Sequence, residues 1–430
     1  MSPPEGASAE HDAGATRVAD RRARLERAFD AHFGPSPHGA RRALARAPGR
    51  IDLMGSHTDY NGGAVLALAI DLDTWALAAP RGDGRVRVHS LALDATVDAP
   101  LEGDALSALS GARTWGRYVF GVARACLDDG IACAGFDAVV DGRVPLGSGL
   151  SSSAALEVAT ALVVEALAER DVPEAADAGH AGAERAKPAA DASALARALR
   201  CQRAENRYVG VACGVLDPYC AVFGRAGRAL AIDCRALAHR EVALPRSLAI
   251  VVGDTRAPRA LAASAYGERR AQCEAGAAHL AAARPGVRDL CDVPLAAFER
   301  LAPSLPPLVA RRCRFALEEH ARVAAAADAL ERDDRGALAA HFAASFAGAR
   351  DLYSICIPEM EAMEAAMRAA PGCVGARQAG AGFGGCLVAL VERDRVDAFA
   401  AHAARAYARA SGREGALFPV EAADGASLLA

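Results

Sequence analysis

The sequence predicts an α+β fold in two domains, on three observations. At 430 residues the chain is longer than a single core grows, so two domains with a cleft between them are expected. Strand-like and helix-like segments follow one another without strict alternation, which favours α+β over a doubly wound parallel sheet. Three glycine-rich stretches, "GRIDLMGSHTDYNGG", "VPLGSGLSSSAALEVA" and "GARQAGAGFGGC", punctuate the chain where tight turns would bring backbone close to a ligand.

The elements follow in order. Residues 1–16 are small, polar and acidic and read as a disordered tip, without the basic start and apolar run of a signal peptide. In residues 17–33 the helical spacing of Val18, Leu25 and Phe29 amid charge predicts a surface helix. "RALARAPGRIDLMG" reads as an extended segment breaking at Pro48 and Gly49. Residues 64–79 and 85–91 read as strands, the first almost continuously apolar and the second alternating as "RVRVHSL". A helix in "TWGRYVFGVARACLDDG" and a strand in "FDAVVDGRVPLG" lead into a serine-rich turn and a helix apolar on most faces, "AALEVATALVVEALAER". Residues 170–193 lack core-forming periodicity and read as a surface loop. Helix resumes at "ALARALRCQRAENRYVG", followed by the turn "ACGVLDPYC" and strands at 228–234 and in "SLAIVVGDT". Alanine-rich helices run to about residue 370, and the chain closes with strand "CLVALV", helix "RVDAFAAHAARAYARA" and a short strand.

Composition narrows the function. A net charge of -4 with 24% charged residues supplies no basic field for nucleic acid. No run of about 18 uncharged apolar residues suggests a membrane span, so a cytoplasmic protein is expected. The 12 cysteines form no CxxC pair and read as buried thiols.

The glycine-rich stretches carry the chemistry. Gly147, Ser148, Gly149, Leu150, Ser151, Ser152 and Ser153 stand between a strand and a long helix. Unpaired amides, hydroxyls and the helix dipole converge there on an anion, whereas a simple N-cap needs one serine. A P-loop is excluded, because its pattern requires a lysine and Lys187 is the only lysine in the chain. Gly380, Gly382 and Gly385 satisfy GxGxxG, but a strand follows them where a dinucleotide site needs a helix. In "CQRAENRYVGVACGVLDPY", Glu205 and Asp217 would each be an ordinary surface acid unless another group reaches them; Asp217 gains interest if Arg50 does.

Together these motifs resemble the galactokinase family of GHMP kinases. The first stretch is similar to the galactokinase signature, the second to the GHMP phosphate-binding motif and the third to their C-terminal motif. "WGRYVFGV", "SAYGERRAQCEA" and "ARDLYSICIPEMEAM" add to the likeness, which covers most of the chain from about residue 30 and fails in the tip and in residues 170–193. The resemblance implies a two-lobed fold with the active site between lobes, here residues 21–235 and 236–430 after a tip of 1–20. It also implies ATP-dependent phosphorylation of the anomeric hydroxyl of galactose or a galactose-configured sugar. Sugar and ATP would be the partners, with neither nucleic acid nor membrane.

By position, the resemblance implies that Asp217 orients or deprotonates the sugar hydroxyl and that Arg50 stabilises transferring charge. Residues 147–153 match the triphosphate cradle, and Ser153 and Glu205 the Mg2+ ligands. Ser56, His57, Thr58, Asp59, Gly214 and Tyr266 match sugar contacts, and Trp115 and the strand near Ser90 stand beside the adenine.

The chain departs from the pattern at three places. The family normally carries an acidic residue at Ser56, asparagine at Asp52 and glutamine at Pro218. Ser56 raises the alternative of a sugar altered at C6, such as galacturonate or L-arabinose. A sugar- and ATP-sensing regulator without turnover is a second alternative, weakened because "GLSSSAALEVA" and Asp217 are intact.

Overall fold

The computed structural model describes residues 6–35, 42–103, 109–168, 186–258 and 262–430. In chain order the elements are α1 (Gly6–Phe33), β1 (Ala43–Met54), β2 (Ala64–Pro80), β3 (Arg85–Ser90), β4 (Ala95–Pro100), α2 (Gly116–Asp128), β5 (Phe136–Gly142) and α3 (Ser152–Ala168). Next come α4 (Ala186–Ala204), α5 (Leu216–Phe223), β6 (Arg228–Asp233), β7 (Ala238–Ala243), β8 (Leu248–Asp254), α6 (Ala262–Ala283), α7 (Leu295–Leu301) and α8 (Pro307–Glu331). The chain ends with α9 (Arg335–Gly348), α10 (Pro358–Arg368), β9 (Cys373–Gln378), β10 (Cys386–Glu392), α11 (Val396–Ser411), β11 (Ala416–Val420) and β12 (Ser427–Leu428).

Among the described residues the strands form two sheets. The first runs β12-β1-β2-β5-β3-β4, with β6 also pairing β2 and β7 pairing β6; the second runs β11-β8-β10-β9. All pairings are antiparallel except β3 with β5. This is the α+β, two-lobed architecture expected. Residues 238–243, expected in the C-terminal lobe, pair with β6, and the tail at β12 returns to the first sheet.

Apolar packing fixes the two lobes against each other. Ile51, Leu53, Met54, Leu66 and Leu68 of β1 and β2 share one core with Ile250 and Val252 of β8, Val388 and Leu390 of β10, and Val323 and Ala326 of α8. Helix α3, apolar on most faces, buries Val158, Leu162 and Val163 against α2, α4 and the first sheet. Each fully buried side chain of this kind contributes about 1.5–3 kcal/mol, so the cleft walls are held as one framework.

Several local expectations need correction. Helix α1 starts at Gly6 rather than after a disordered tip; Ala7, Ala9, Ala13 and Ala15 are strong helix formers that polarity alone conceals. Val18 is exposed, and Arg21 is buried instead, bonded to Asp73 at 2.5 Å and Asp141 at 2.8 Å. Residues 186–193 open α4 rather than belonging to a loop, because Pro188 occupies the first turn, where its missing N–H removes no helical bond; residues 170–185 of that expected loop lie outside the described residues. Strand β1 does not break at Pro48 and Gly49 but shifts register there, resuming at Arg50. The twelve cysteines are free, seven of them buried.

Candidate active site

Arg50 leaves β1 just beyond that register shift. At Gly49 a Cβ would stand 2.6 Å from the Leu150 carbonyl, so glycine allows β1 to press against the serine loop. The Arg50 amide donates to Leu150 O at 3.1 Å, and its guanidinium donates to Gly149 O at 2.7 Å and to Asp217 Oδ1 at 2.7 Å through Nε. Burial lowers the proton affinity of Arg50, but the adjoining Asp217 and Asp52 carboxylates outweigh it and hold the cation. Asp217 stands in the first turn of α5 and also accepts from Ser151 Oγ at 2.5 Å. Gly147 and Gly149 adopt φ of 69° and 88°, the left-handed turn that carries the chain from β5 to the N-terminus of α3.

Two depressions meet at this ion pair. One, of about 390 Å³, is lined by Arg50, Asp52, Ser56, His57, Asp59, Glu205, Gly214, Asp217 and Tyr266, with Gly380 and Ala381 from the third motif. The other, of about 330 Å³, is lined by Ser151, Ser152, Ser153, Gly149, Trp115 and Tyr118, and shares Arg50, Gly147, Asp217 and Ala381 with the first. A polar chamber and a serine-rich groove thus share one wall at Arg50 and Asp217.

The third motif closes the chamber. Gly380, at φ 70°, donates its amide to Asp52 Oδ1 at 2.5 Å, and a Cβ there would stand 2.8 Å from Gly149 O. The Ala381 carbonyl faces His57 Nε2 at 3.0 Å. A carbonyl only accepts, so Nε2 carries the proton and Nδ1 accepts from the Tyr60 hydroxyl at 2.7 Å. Burial pushes the His57 pKa down to about 4, and the ring stays neutral beside Tyr266 and Tyr353. Burial, followed by the negative charge of Asp217, pushes Asp59 up to about 6. A Cβ on Gly214 would fall 1.8 Å from Asp59 Oδ2, so glycine is the residue that fits there.

Four expected contacts are corrected. Thr58 is fully buried, its Oγ1 facing Gly55 O at 2.7 Å and Ala64 O at 2.6 Å; it shapes the turn and does not line the chamber. Ser148 donates to Pro145 O at 2.7 Å, and the Leu150 side chain packs in the interlobe core. These two support the loop from behind and line neither depression. Ser90 is buried and likewise outside both.

Two further residues lie within the quoted motifs without having been singled out there. Arg377 of β9 is fully buried and donates to Ser56 Oγ at 2.6 Å and Glu319 Oε1 at 3.1 Å. Ser56 in turn donates to Asp52 Oδ2. The only signal in the sequence was an arginine at the head of a glycine run. Glu157 of α3 is fully buried with neither carboxyl oxygen bonded. Burial, then the nearby Glu205 and Asp217 charges, holds its pKa well above the usual carboxylate range. A lone acid on the buried side of an apolar helix was its signal.

Comparison with known proteins fits this geometry. The galactokinase galactose-binding signature matches residues 27–80, the GHMP kinases N-terminal domain residues 117–225 and the GHMP kinases C-terminal domain residues 326–409. A galactokinase of Roseiflexus sp. (strain RS-1) is 40% identical over 404 residues, covering 93% of this chain and 95% of the relative. A galactokinase of Chloroflexus aurantiacus is 37% identical, covering 91% and 93%. The crystal structure of Lactococcus lactis galactokinase complexed with galactose superposes with a TM-score of 0.83 at 29% identity, over 95% of this chain and 99% of that one. The mevalonate kinase of Methanococcus jannaschii, at 13% identity and a TM-score of 0.56, shares the fold alone. The chain belongs to the galactokinase family of GHMP kinases.

Proposed function

We propose that this chain transfers the terminal phosphoryl group of ATP to the anomeric hydroxyl of galactose, giving galactose 1-phosphate and ADP. The observation that carries the reading is the meeting of a sugar-sized polar chamber and a serine-lined groove at one Arg50–Asp217 pair. Phosphoryl transfer needs alignment and charge neutralisation more than covalent help. The 37–40% identity to galactokinases favours galactose over the C6-altered sugars that Ser56 brought into consideration. The retained Arg50–Asp217–Ser151 constellation favours a kinase over a regulator without turnover.

In this reading the acceptor hydroxyl lies against Asp217, which takes its hydrogen bond and directs its lone pair at phosphorus. Ser151 and Arg50 fix the carboxylate from either side, so it does not reorganise during transfer. Arg50, bridging Asp217 and the Gly149 carbonyl, stands where negative charge grows on the transferring oxygens. The free amides at the N-terminus of α3 and the hydroxyls of Ser152 and Ser153 hold the triphosphate. Trp115 and Tyr118 offer an apolar wall to the base. His57, Asp59, Gly214 and Tyr266 surround the ring.

The residues present fit a magnesium ion. Glu205 is buried, with its side chain bonded, among the described residues, to the Cys213 thiol alone, at 3.2 Å; burial and then Asp217 raise its pKa to about 7. With Glu157 close by and unpaired, the region holds excess acid that a divalent cation would balance. One carboxylate and one hydroxyl, Glu205 and Ser153, would hold Mg2+, which takes its remaining ligands from phosphate and water. When bound, it neutralises the phosphate oxygens.

The test is ADP release from ATP and magnesium with galactose as acceptor, with the product read by phosphorus NMR. Galactose-dependent release with phosphate on the anomeric oxygen is expected. Release that ignores galactose, or phosphate on C6, would contradict the reading.

A further inference from the structure

Asp52 and Ser56 touch each other on the chamber wall. We propose that the carboxylate of Asp52, oriented by Ser56 and Arg377, is the group on this wall that accepts a hydroxyl of the bound sugar, in the place that Ser56 would otherwise fill. The inference rests on the reading that the chamber holds the sugar.

The hydrogen bonds assign the roles. The Ser56 proton goes to Asp52 Oδ2 and its lone pair receives Arg377 Nη2 at 2.6 Å, so Ser56 has no donor left for a ligand. His57 has likewise committed its N–H, to Ala381 O, and the Arg50 guanidinium is turned towards Asp217 and Gly149 O. Asp52 differs. Its carboxylate has about four acceptor positions and receives Gly380 N at 2.5 Å, Ser56 Oγ, and Arg377 Nη1 at 3.5 Å. One position remains, and the residue lies on the chamber wall. A sugar hydroxyl is the donor of matching chemistry.

Charge explains why the carboxylate stands at 52 and serine at 56. Behind the wall Arg377 bonds Asp52 and Glu319, and Glu319 bonds Arg322 at 2.9 Å, Ser345 Oγ at 2.7 Å and the Gly55 amide at 3.1 Å. Two guanidinium groups thus face the buried carboxylates of Asp52 and Glu319, with the partly exposed Glu318 reaching Arg322 at 3.7 Å from the edge, in a network where Arg377 and Glu319 are fully buried. An acid added at 56 would leave one buried negative charge unmatched, which low dielectric penalises heavily. An acid at 56 with asparagine at 52 would restore the balance. The two positions therefore form one exchangeable unit.

The experiment measures kcat and KM for galactose and its 2-, 3-, 4- and 6-deoxy analogues in the wild-type chain, Asp52→Asn, Ser56→Glu and the double variant. The wild type should disfavour one analogue by about 10- to 100-fold, because the acceptor would be left unpaired. Asp52→Asn should lower kcat/KM for galactose by about 10-fold, mainly through KM, while leaving that one analogue almost unchanged, so the discrimination collapses at a single hydroxyl. Ser56→Glu should lose activity and the double variant regain it to within about 5-fold of wild type. Equal losses on every sugar, unchanged discrimination in Asp52→Asn, or a double variant no better than the worse single would overturn the assignment. Should Asp52→Asn fail to fold, Ser56→Ala keeps the carboxylate and removes its orienting hydroxyl; a narrowed discrimination at the same hydroxyl supports the assignment and unchanged kinetics overturn it. A wild-type chain that binds galactose without turnover would overturn the kinase reading alone, and the same ratios would then be read from calorimetric Kd values. A chain that binds no galactose overturns both.

Discussion

The two ends of the cleft are built on opposite plans. The phosphate end is mostly backbone: a glycine and serine loop, the N-terminus of α3, and one arginine bridging a carbonyl and a carboxylate. Its serines at 152 and 153 are only partly covered. The sugar end is mostly side chain, and its members come from distant parts of the chain: Asp52 meets the Gly380 amide, His57 meets Ala381 and Arg377 meets Glu319. Exposed backbone donors suit a ligand recognised chiefly by charge. A closed set of matched donors and acceptors suits a ligand recognised by the positions of its hydroxyls. The difference teaches that one site can divide general anion binding from hydroxyl readout simply by how much of each wall is buried.

The comparison can be broken most severely where the ends meet. Asp217→Ala removes the acceptor for the reacting hydroxyl and leaves Arg50 and Ser151 without their partner. We expect kcat to fall by about 10³-fold or more, with galactose affinity by calorimetry changing little; a loss below about 10-fold would separate Asp217 from the chemistry.

Next in size is Arg377→Met, which tests whether the sugar wall depends on its buried ion network. Asp52 and Glu319 would lose their shared partner, and unfolding in urea should show a loss of about 3–5 kcal/mol. An unchanged midpoint would mean that the wall stands without the arginine.

Gly214→Ala sharpens the sugar end specifically. The new methyl collides with Asp59 Oδ2 at 1.8 Å, and KM for galactose should rise by about 10- to 100-fold, roughly 1–3 kcal/mol. KM for ATP should barely move; equal effects on both substrates would contradict the division of the cleft.

The smallest effect is on pH. His57 is held to a pKa of about 4 in the fold against 6.5 when unfolded, so the unfolded chain takes up the proton first. The stability of the neutral ring is complete above 6.5 and is lost as pH falls towards 4. Between pH 7.5 and 5 the wild type should lose about 1–2 kcal/mol more than His57→Gln; parallel pH profiles would show that the ring is not sealed from water.

The same contrast decides what was legible in the sequence. The phosphate loop could be read because its features are local: residues 147–153 are contiguous, and the strand and helix on either side are the predicted ones. Arg50 and Asp217 were legible as candidates, but their contact spans 167 positions and only the fold makes it. Thr58, Ser148 and Leu150 lie within the motifs and yet serve the turns, since a motif carries its own scaffold as well as its ligand contacts. Arg377 and Glu157 were missed because a buried charge is recognisable only once its surroundings are known. Asp52 was visible merely as a departure; the hydrogen bond from Ser56 is what joins two departures into one feature. The helical start at Gly6 was missed for a simpler reason, polar composition having outweighed alanine propensity.

The most direct test of the central claim is a crystal structure with galactose and a non-hydrolysable ATP analogue bound together. The anomeric oxygen should lie about 3 Å from the Asp217 carboxylate, with the terminal phosphate between it and the loop of residues 147–153. A sugar whose anomeric oxygen faces Asp52 and His57, with another hydroxyl at Asp217, would contradict the account.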